Sequence, residues 1–173
     1  EGTSEEIVRF NAWQFRQLLG RGVHGILLCQ AESAAAVGAF VESCRYPVNE
    51  IGVGEGLRRG RRGVGSESVC ATIWGVDRDT YLAKADPWPL NPDGELLLGI
   101  KIESVDALPH IEEILAVPGI GFAEMGPGDL SLSLGYRTMP DPWPAEMSET
   151  HERVKTACLQ NGLAFLDSAT PEN

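Results

Sequence analysis

Residues 96–104, LLLGIKIES, form the stretch of sequence that decides the fold class. Leucine and isoleucine fill five of its first seven positions. A strand this uniformly apolar is typical of a parallel sheet, because helices cover both faces of such a sheet. The strand ends at an acid, Glu103. The segment therefore predicts an α/β fold with a carboxylate at one strand end.

The segments around LLLGIKIES alternate between helical and strand-like patterns, which is the order of elements in an α/β fold. A long excursion over 49–94 interrupts this order with glycines, a basic cluster and turn residues, and one helix is predicted in it, over 77–85. Loops of this length are usually functional or mediate contacts. The other predicted helices cover 4–20, 31–47, 104–117 and 145–161, and the predicted strands cover 24–30, 96–103, 119–125 and 163–168.

The composition argues against several classes of partner and location. The net charge of -11 disfavours binding to nucleic acid or to anionic lipid. No apolar run approaches the roughly 18 residues of a membrane span, and the first twenty residues do not resemble a signal peptide. The four cysteines form no CxxC pair, so we expect four buried thiols rather than a zinc or redox site. We therefore expect a cytoplasmic protein with no nucleic-acid and no membrane partner.

Two carboxylates mark the candidate site. In parallel α/β folds, ligands bind where the strands end and the following helices begin. Glu103 ends one predicted strand, and Asp129 follows the next one in the loop GPGD. Together they offer the oxygen ligands that Mg²⁺ or Mn²⁺ prefers, and the backbone amides of Gly128 and Asp129 suit a small carboxylate. The alternative is that Asp129 only caps a helix and that Glu103 is a solvated strand end.

Lys101 and Gln30 are further candidates for substrate binding. Lys101 shares the face of Glu103 because strand side chains alternate with a period of two. A cation beside a metal weakens the binding of that metal unless it meets a substrate carboxylate or Glu124. Gln30 ends the first predicted strand, where it either donates a hydrogen bond to a substrate oxygen or is an ordinary polar rim residue.

Several ordered motifs resemble one enzyme family. GVHGILLCQAESAAAVGAFVESCRYP, RRGVGS, GIKIES, ILAVPGI and GPGDLSLSLGY are similar to segments of the HpcH/HpaI aldolases, the metal-dependent pyruvate aldolases related to citrate lyase beta chains. The resemblance implies a (β/α)8 TIM barrel, of which this sequence covers roughly strands four to seven as a single partial domain over 1–173. It also implies a divalent ion, Mg or Mn, held by Glu103 and Asp129, and a homo-oligomer.

The activity that the resemblance implies is reversible aldol cleavage. A 2-keto-3-deoxy or 4-hydroxy-2-keto acid would give pyruvate and an aldehyde through a metal-stabilised enolate, with the pyruvate carboxylate near the amides of Gly128 and Asp129. An oxaloacetate decarboxylase or an acyl-coenzyme A lyase is the alternative enzyme, and the basic segment LRRGRRGVGSES supports it by offering a phosphate contact. That segment is otherwise a solvated face or a subunit contact. A non-catalytic subunit that binds small dicarboxylates is the alternative of another class.

The sequence also departs from the family. The catalytic Arg and His of the family have no counterparts here, so no catalytic residue is assigned. Arg9 lies inside the first predicted helix, and His24 lies at the very start of its strand, at the end of the barrel away from the chemistry, where a structural role is expected. Four strands do not close a barrel. We expect either that the sequence is part of a longer protein or that a second chain completes it.

Overall fold

A computed structural model describes residues 1–168. Its main sheet is parallel, with the strand order β1-β3-β4-β5, and a short strand β2 pairs with the beginning of β3. This arrangement confirms the predicted α/β fold class with a parallel sheet. The strands are β1 (Gly25–Leu28), β2 (Pro87–Trp88), β3 (Leu96–Ile102), β4 (Phe122–Met125) and β5 (Ala164–Phe165).

Seven α-helices lie within residues 1–168; α1 precedes β1 and packs against α2, and the others lie between the strands. None of them is long and apolar enough to cross a membrane. A 3-10 turn, Leu108–His110, precedes α5. The helices are α1 (Glu5–Leu19), α2 (Ala34–Cys44), α3 (Glu67–Trp74), α4 (Arg78–Lys84), α5 (Ile111–Leu115), α6 (Pro127–Ser133) and α7 (Ala145–Gln160).

Strand β3 is at the centre of the sheet, and its two faces differ. On one face Leu98 and Ile100 are fully buried among the helices. On the other face Leu97 is 41% exposed, and the ring of Phe122 covers Gly99 so closely that a Cβ on Gly99 would lie 2.1 Å from it. The expected burial of β3 on both faces is therefore wrong at Leu97, although the rest of the strand is as predicted.

Several predicted elements are shorter than the sequence suggests, for local reasons. The helix predicted over 31–47 begins only at Ala34, because the Ser33 side chain accepts a hydrogen bond from the Ala36 amide and caps it. The helix predicted over 104–117 is reduced to the 3-10 turn and α5, since Pro109 lies in the first turn and cannot occupy a helix interior. The strand predicted over 163–168 pairs only at Ala164 and Phe165.

The excursion over 49–94 is more ordered than predicted. It contains the expected helix as α4, and also α3 and β2, which are not predicted from the sequence. Arg45 and Asp86 anchor it by a fully buried ion pair with N–O distances of 2.6 and 3.0 Å. Arg62, from the basic cluster, is also buried, with its guanidinium 2.5 Å from the Tyr81 hydroxyl and stacked on Tyr46. Part of the basic cluster is therefore a packing element.

The structure also bears on the predictions for the cysteines and for His24. Three of the four cysteines are buried as expected, but Cys29 is exposed, so the prediction of four buried thiols is wrong there. Cys29 directly follows the last paired residue of β1, where the chain leaves the sheet. His24 stacks on Trp74 with ring centroids 4.0 Å apart at the start of β1, in agreement with a structural role.

Candidate active site at the strand ends

The carboxyl ends of β1, β3 and β4 lie next to one another. The amide of Gly126, just after β4, donates to the carbonyl of Ile102 at 2.9 Å. The amide of Ala31, just after β1, donates to the carbonyl of Lys101 at 3.1 Å. These bonds extend the parallel pairing beyond the strands, so the residues that follow β1, β3 and β4 lie side by side. The structure thus brings Gln30, Glu103 and the loop to Asp129 together, as the sequence predicted.

Glu103 is the buried acid of this site, with only 3% of its surface exposed. Its Oε1 accepts a hydrogen bond from the backbone N–H of Gln30 at 2.9 Å. Its Oε2 is buried and has no hydrogen-bond partner among residues 1–168. An anionic oxygen withdrawn from water without a partner is unfavourable, so this oxygen is suited to a ligand that the protein atoms do not provide.

The electrostatics of Glu103 agree with this geometry. Burial raises the pKa of Glu103 above its ordinary value, and the nearby negative charge of Asp129 raises it further. The Gln30 amide and the positive charge of Lys101 lower the pKa, but do not cancel the increase. A cation between the two carboxylates would remove the repulsion.

Gly126 provides the space that Glu103 needs. A Cβ on Gly126 would lie 2.5 Å from Oε2 of Glu103 and 2.9 Å from Cδ of Lys101. Any side chain at this position would therefore displace the carboxylate. No atom lies within 4 Å of the corresponding point on Gly128, so the space beside that glycine is open. Of these two glycines, Gly126 is the one that contacts the acid.

Lys101 forms an ion pair with Glu124, at 2.6 Å between Nζ and Oε1. The two residues are directly paired in register on β3 and β4, and both side chains are mostly buried. Glu124 is thus one of the two partners expected for Lys101. A contact between Lys101 and a substrate stays a prediction, as does the substrate contact of the half-buried Gln30 side chain.

Within residues 1–168, no cluster of three or more His, Cys, Asp or Glu side chains is arranged to hold a metal. The candidate ligand set consists of Glu103 and Asp129. Mg²⁺ characteristically binds through one or two carboxylates and takes its other ligands from water or substrate. Two converging acids with one unpartnered buried oxygen fit that pattern, and they do not fit a closed structural zinc site.

The comparisons with known proteins agree with the fold and the motifs. The sequence model of the HpcH/HpaI aldolase/citrate lyase family matches residues 1–172. The chain belongs to this family. It is 30% identical over 157 residues to a hydroxypyruvate/pyruvate aldolase of Roseobacter denitrificans, with 90% of this chain and 54% of the relative covered. It is 34% identical over 169 residues to a 2-keto-3-deoxy-L-rhamnonate aldolase of Klebsiella pneumoniae, covering 95% of this chain and 56% of the relative.

Solved structures of the same family share the fold. An HpcH/HpaI aldolase from Desulfitobacterium hafniense superimposes with a TM-score of 0.69 at 26% identity, covering 93% of this chain and 55% of that one. A family protein from Burkholderia cenocepacia gives a TM-score of 0.70 at 24% identity, with 89% and 53% covered. The chain spans about half the length of the relatives it matches. The α/β fold of this TIM-barrel-type family is therefore confirmed for the part that the chain represents.

Arg9 and His24 take no part in the carboxylate site. The guanidinium of Arg9 binds Glu5 at 2.8 Å and Glu42 at 2.7 Å between α1 and α2, so it ties two helices together. His24 lies at the start of β1, opposite the strand ends that carry Gln30. Neither residue is predicted to take part in the chemistry of this HpcH/HpaI family member, and the observed contacts are structural.

A histidine that is not among the predicted site residues lies in a cavity of about 330 Å³ bordered by Glu124. His151, on α7, has its Nε2 3.2 Å from Oδ2 of Asp167, and its ring contacts those of Trp143 and Phe165 edge-on. Burial raises the pKa of Asp167, but the Ser168 amide and His151 outweigh that effect, and the pKa is below its usual range. His151 could not be predicted from the strand ends, because it lies within a helix.

Proposed function

We propose that this chain contributes the cation-binding half of a divalent-metal-dependent aldolase. In this proposal Glu103 and Asp129 hold Mg²⁺ or Mn²⁺, and the reaction is the reversible cleavage of a 2-keto-3-deoxy or 4-hydroxy-2-keto acid to pyruvate and an aldehyde. The observation that carries it is the buried, unpartnered Oε2 of Glu103 beside a second carboxylate. The names of the Roseobacter and Klebsiella relatives, both pyruvate-type or keto-acid aldolases, support the reaction class.

The residues present fit a hard divalent cation. Carboxylate oxygens are its preferred ligands, and the cation would give Oε2 of Glu103 the partner that the protein does not supply. When bound, such a cation provides Lewis-acid stabilisation of negative charge on the oxygens of the keto acid, an effect worth several kcal/mol.

The protein groups around the acids would bind and orient the substrate. The amides of Gly128 and Asp129, in the first turn of α6, would bind the pyruvate carboxylate. Lys101 supplies a positive charge that Glu124 holds in place, and the Gln30 side chain is available to a substrate oxygen. Proton transfer at carbon requires a base, and we assign that role to no residue of this chain.

We also propose that copies of the protein associate. Large apolar side chains are exposed on separate elements, including Phe10 on α1, at 82% exposure, and Trp88 on β2. Exposed aromatic residues are enriched at interfaces between subunits. Sedimentation equilibrium of the protein, compared with a Phe10→Ser variant, would measure this association directly.

Exchange of the pyruvate methyl protons in deuterated buffer, followed by proton NMR, tests the proposed function. When the segment or subunit that supplies the base is present, we expect exchange that stops with a chelator and returns with Mg²⁺ or Mn²⁺. Glu103→Gln and Asp129→Asn should each reduce both exchange and Mn²⁺ affinity at least 100-fold, which corresponds to about 2.7 kcal/mol. Glu95→Gln is the matched control, because Glu95 is an exposed acid immediately before β3, at the opposite end of the strand.

The outcomes separate the alternatives. Mn²⁺ binding without exchange would favour a non-catalytic subunit that binds small dicarboxylates. Exchange that does not depend on a divalent cation would contradict the proposal. Because Arg62 is buried, the acyl-coenzyme A alternative depends on other members of the basic cluster, such as Arg58 and Arg59, whose side chains are mostly exposed although they pair with Glu5 and Glu50.

A further inference from the structure

The backbone at Gln30 is unusual. Gln30 has a φ of 52° and is the one non-glycine residue with a positive φ within residues 1–168. This left-handed conformation is uncommon for a residue with an ordinary side chain, and it persists where the surrounding structure requires it. Here it occurs two residues after the end of β1, in the residue whose N–H donates to Oε1 of Glu103 at 2.9 Å.

The other oxygen of Glu103 is constrained from the opposite side. An added Cβ on Gly126 would lie 2.5 Å from Oε2 and 2.9 Å from the Cβ of Glu103 itself. Gly126 is also fixed in place, because its amide donates to the carbonyl of Ile102. One neighbour therefore holds Oε1 by a hydrogen bond, while the other leaves just enough space for Oε2.

We infer that Gln30 and Gly126 are positioning residues that orient the Glu103 carboxylate, so that Oε1 is held by the protein and Oε2 faces a divalent cation. The inference rests on the proposed function, because it assumes that Glu103 is a ligand. It goes further by assigning to Gln30 a role of its backbone, not of its amide side chain. A metal ligand depends on such supporting contacts for its geometry.

The arrangement is preorganised for binding. Of the two oxygens, Oε1 already has a partner, so the carboxylate cannot rotate freely and presents Oε2 in a single direction. A cation then binds without first ordering the side chain, and less conformational freedom is lost on binding. Residues that release this orientation should weaken cation binding even though they contact no cation themselves.

The test measures the Mn²⁺ dissociation constant by electron paramagnetic resonance of free Mn²⁺, with the melting temperature of the metal-free protein measured alongside. Gln30→Val introduces a β-branched residue that disfavours positive φ, and we expect it to weaken Mn²⁺ binding at least tenfold. Gln30→Gly removes the side chain but keeps access to the left-handed conformation, so its Mn²⁺ affinity should remain within twofold of the wild type. This rescue by glycine is a result that a role of the Gln30 side chain would not give.

Gly126→Ala provides an independent variant, should Gln30→Val fail to fold. It should also weaken Mn²⁺ binding at least tenfold, whereas the control Gly63→Ala should not, because an added Cβ on Gly63 meets no atom within 4 Å. Equal losses in Gln30→Gly and Gln30→Val, or wild-type affinity in both Gln30→Val and Gly126→Ala, would overturn the inference. If Glu103→Gln itself binds Mn²⁺ like the wild type, the proposed function is the part that has failed.

Discussion

The excursion over 49–94 and the strand-end site both contain buried charged side chains. Asp86 of the excursion has an oppositely charged partner, whereas the buried acid of the strand-end site has no ion-pair partner in the part of the chain that the structure describes. In the excursion, Asp86 receives two hydrogen bonds from Arg45, and both side chains are completely buried. At the strand ends, Glu103 is almost as buried, yet one of its oxygens has no partner and Asp129 adds a like charge. The buried charge of Asp86 is satisfied by protein groups alone, whereas Oε2 of Glu103 needs a partner that the protein does not supply.

This difference separates structural charges from candidate functional ones. A buried ion pair with all its hydrogen bonds satisfied fixes the chain around it, and nothing about it points to a ligand. A buried carboxylate with an unsatisfied oxygen is kept at a cost to stability, and such groups cluster at functional sites. Sequence alone did not separate the two regions, because both are rich in charge.

The largest expected effect on stability comes from breaking the buried ion pair between Arg45 and Asp86. Asp86→Ala leaves the Arg45 guanidinium buried without its carboxylate, so we expect the free energy of unfolding to fall by about 3–5 kcal/mol in urea titrations. Asp79→Ala is the control, because Asp79 is an exposed partner of Arg78 and its loss should change little. A loss below about 1 kcal/mol for Asp86→Ala would mean that water replaces the lost carboxylate.

A smaller effect on the free energy of unfolding is expected from a change of pH, because the protonation state of Glu103 then changes. The pKa of Glu103 is raised in the folded state from 4.5, so the folded protein binds this proton more tightly than the unfolded chain does. Without a divalent cation, the contribution of Glu103 to stability is fully present below pH about 4.5 and is lost as the pH rises through the raised pKa.

Urea titrations over a pH series, comparing the wild type with Glu103→Gln in the presence of a chelator, measure this dependence. The free energy of unfolding of the wild type should decrease with pH relative to that of the variant, which has no proton to lose at this position. An excess of Mn²⁺ should restore the wild type at high pH and leave the variant unchanged. A wild type that gains stability relative to the variant over this range would show that its carboxylate is satisfied after all.

The smallest effect on stability is expected from the exposed ion pair of the excursion. Arg59 pairs with Glu50 while both side chains are about two-thirds exposed or more. Arg59→Ala should therefore change the free energy of unfolding by less than about 1 kcal/mol, and it should leave the Mn²⁺ affinity unaltered. A larger loss of stability, measured in the same urea titrations, would place Arg59 in a charge network rather than on a solvated face.

The sequence predicted the parts of the site that depend on local pattern. Glu103 and Lys101 follow from the period of two in β3, and their shared face brings Lys101 to Glu124 on the neighbouring strand. The family motifs then paired Glu103 with Asp129. These predictions needed only the strand ends to be adjacent, which a parallel sheet ensures.

Other features depend on contacts between distant residues and could not be predicted in this way. Arg62 looks like part of a solvated basic run, but it is buried against Tyr81, nineteen positions away. The positive φ of Gln30 accompanies a hydrogen bond to Glu103, which is 73 positions away in the chain. No composition or periodicity around these residues indicates such partners.

The close packing of the Phe122 ring over Gly99 has a consequence for how this sheet can evolve. A methyl group at position 99 would require the aromatic ring at position 122 to move, so substitutions at the two positions are coupled. We expect descendants of this sequence to accept alanine at 99 only after a smaller residue has replaced the phenylalanine, which makes the order of the two changes as important as their identity.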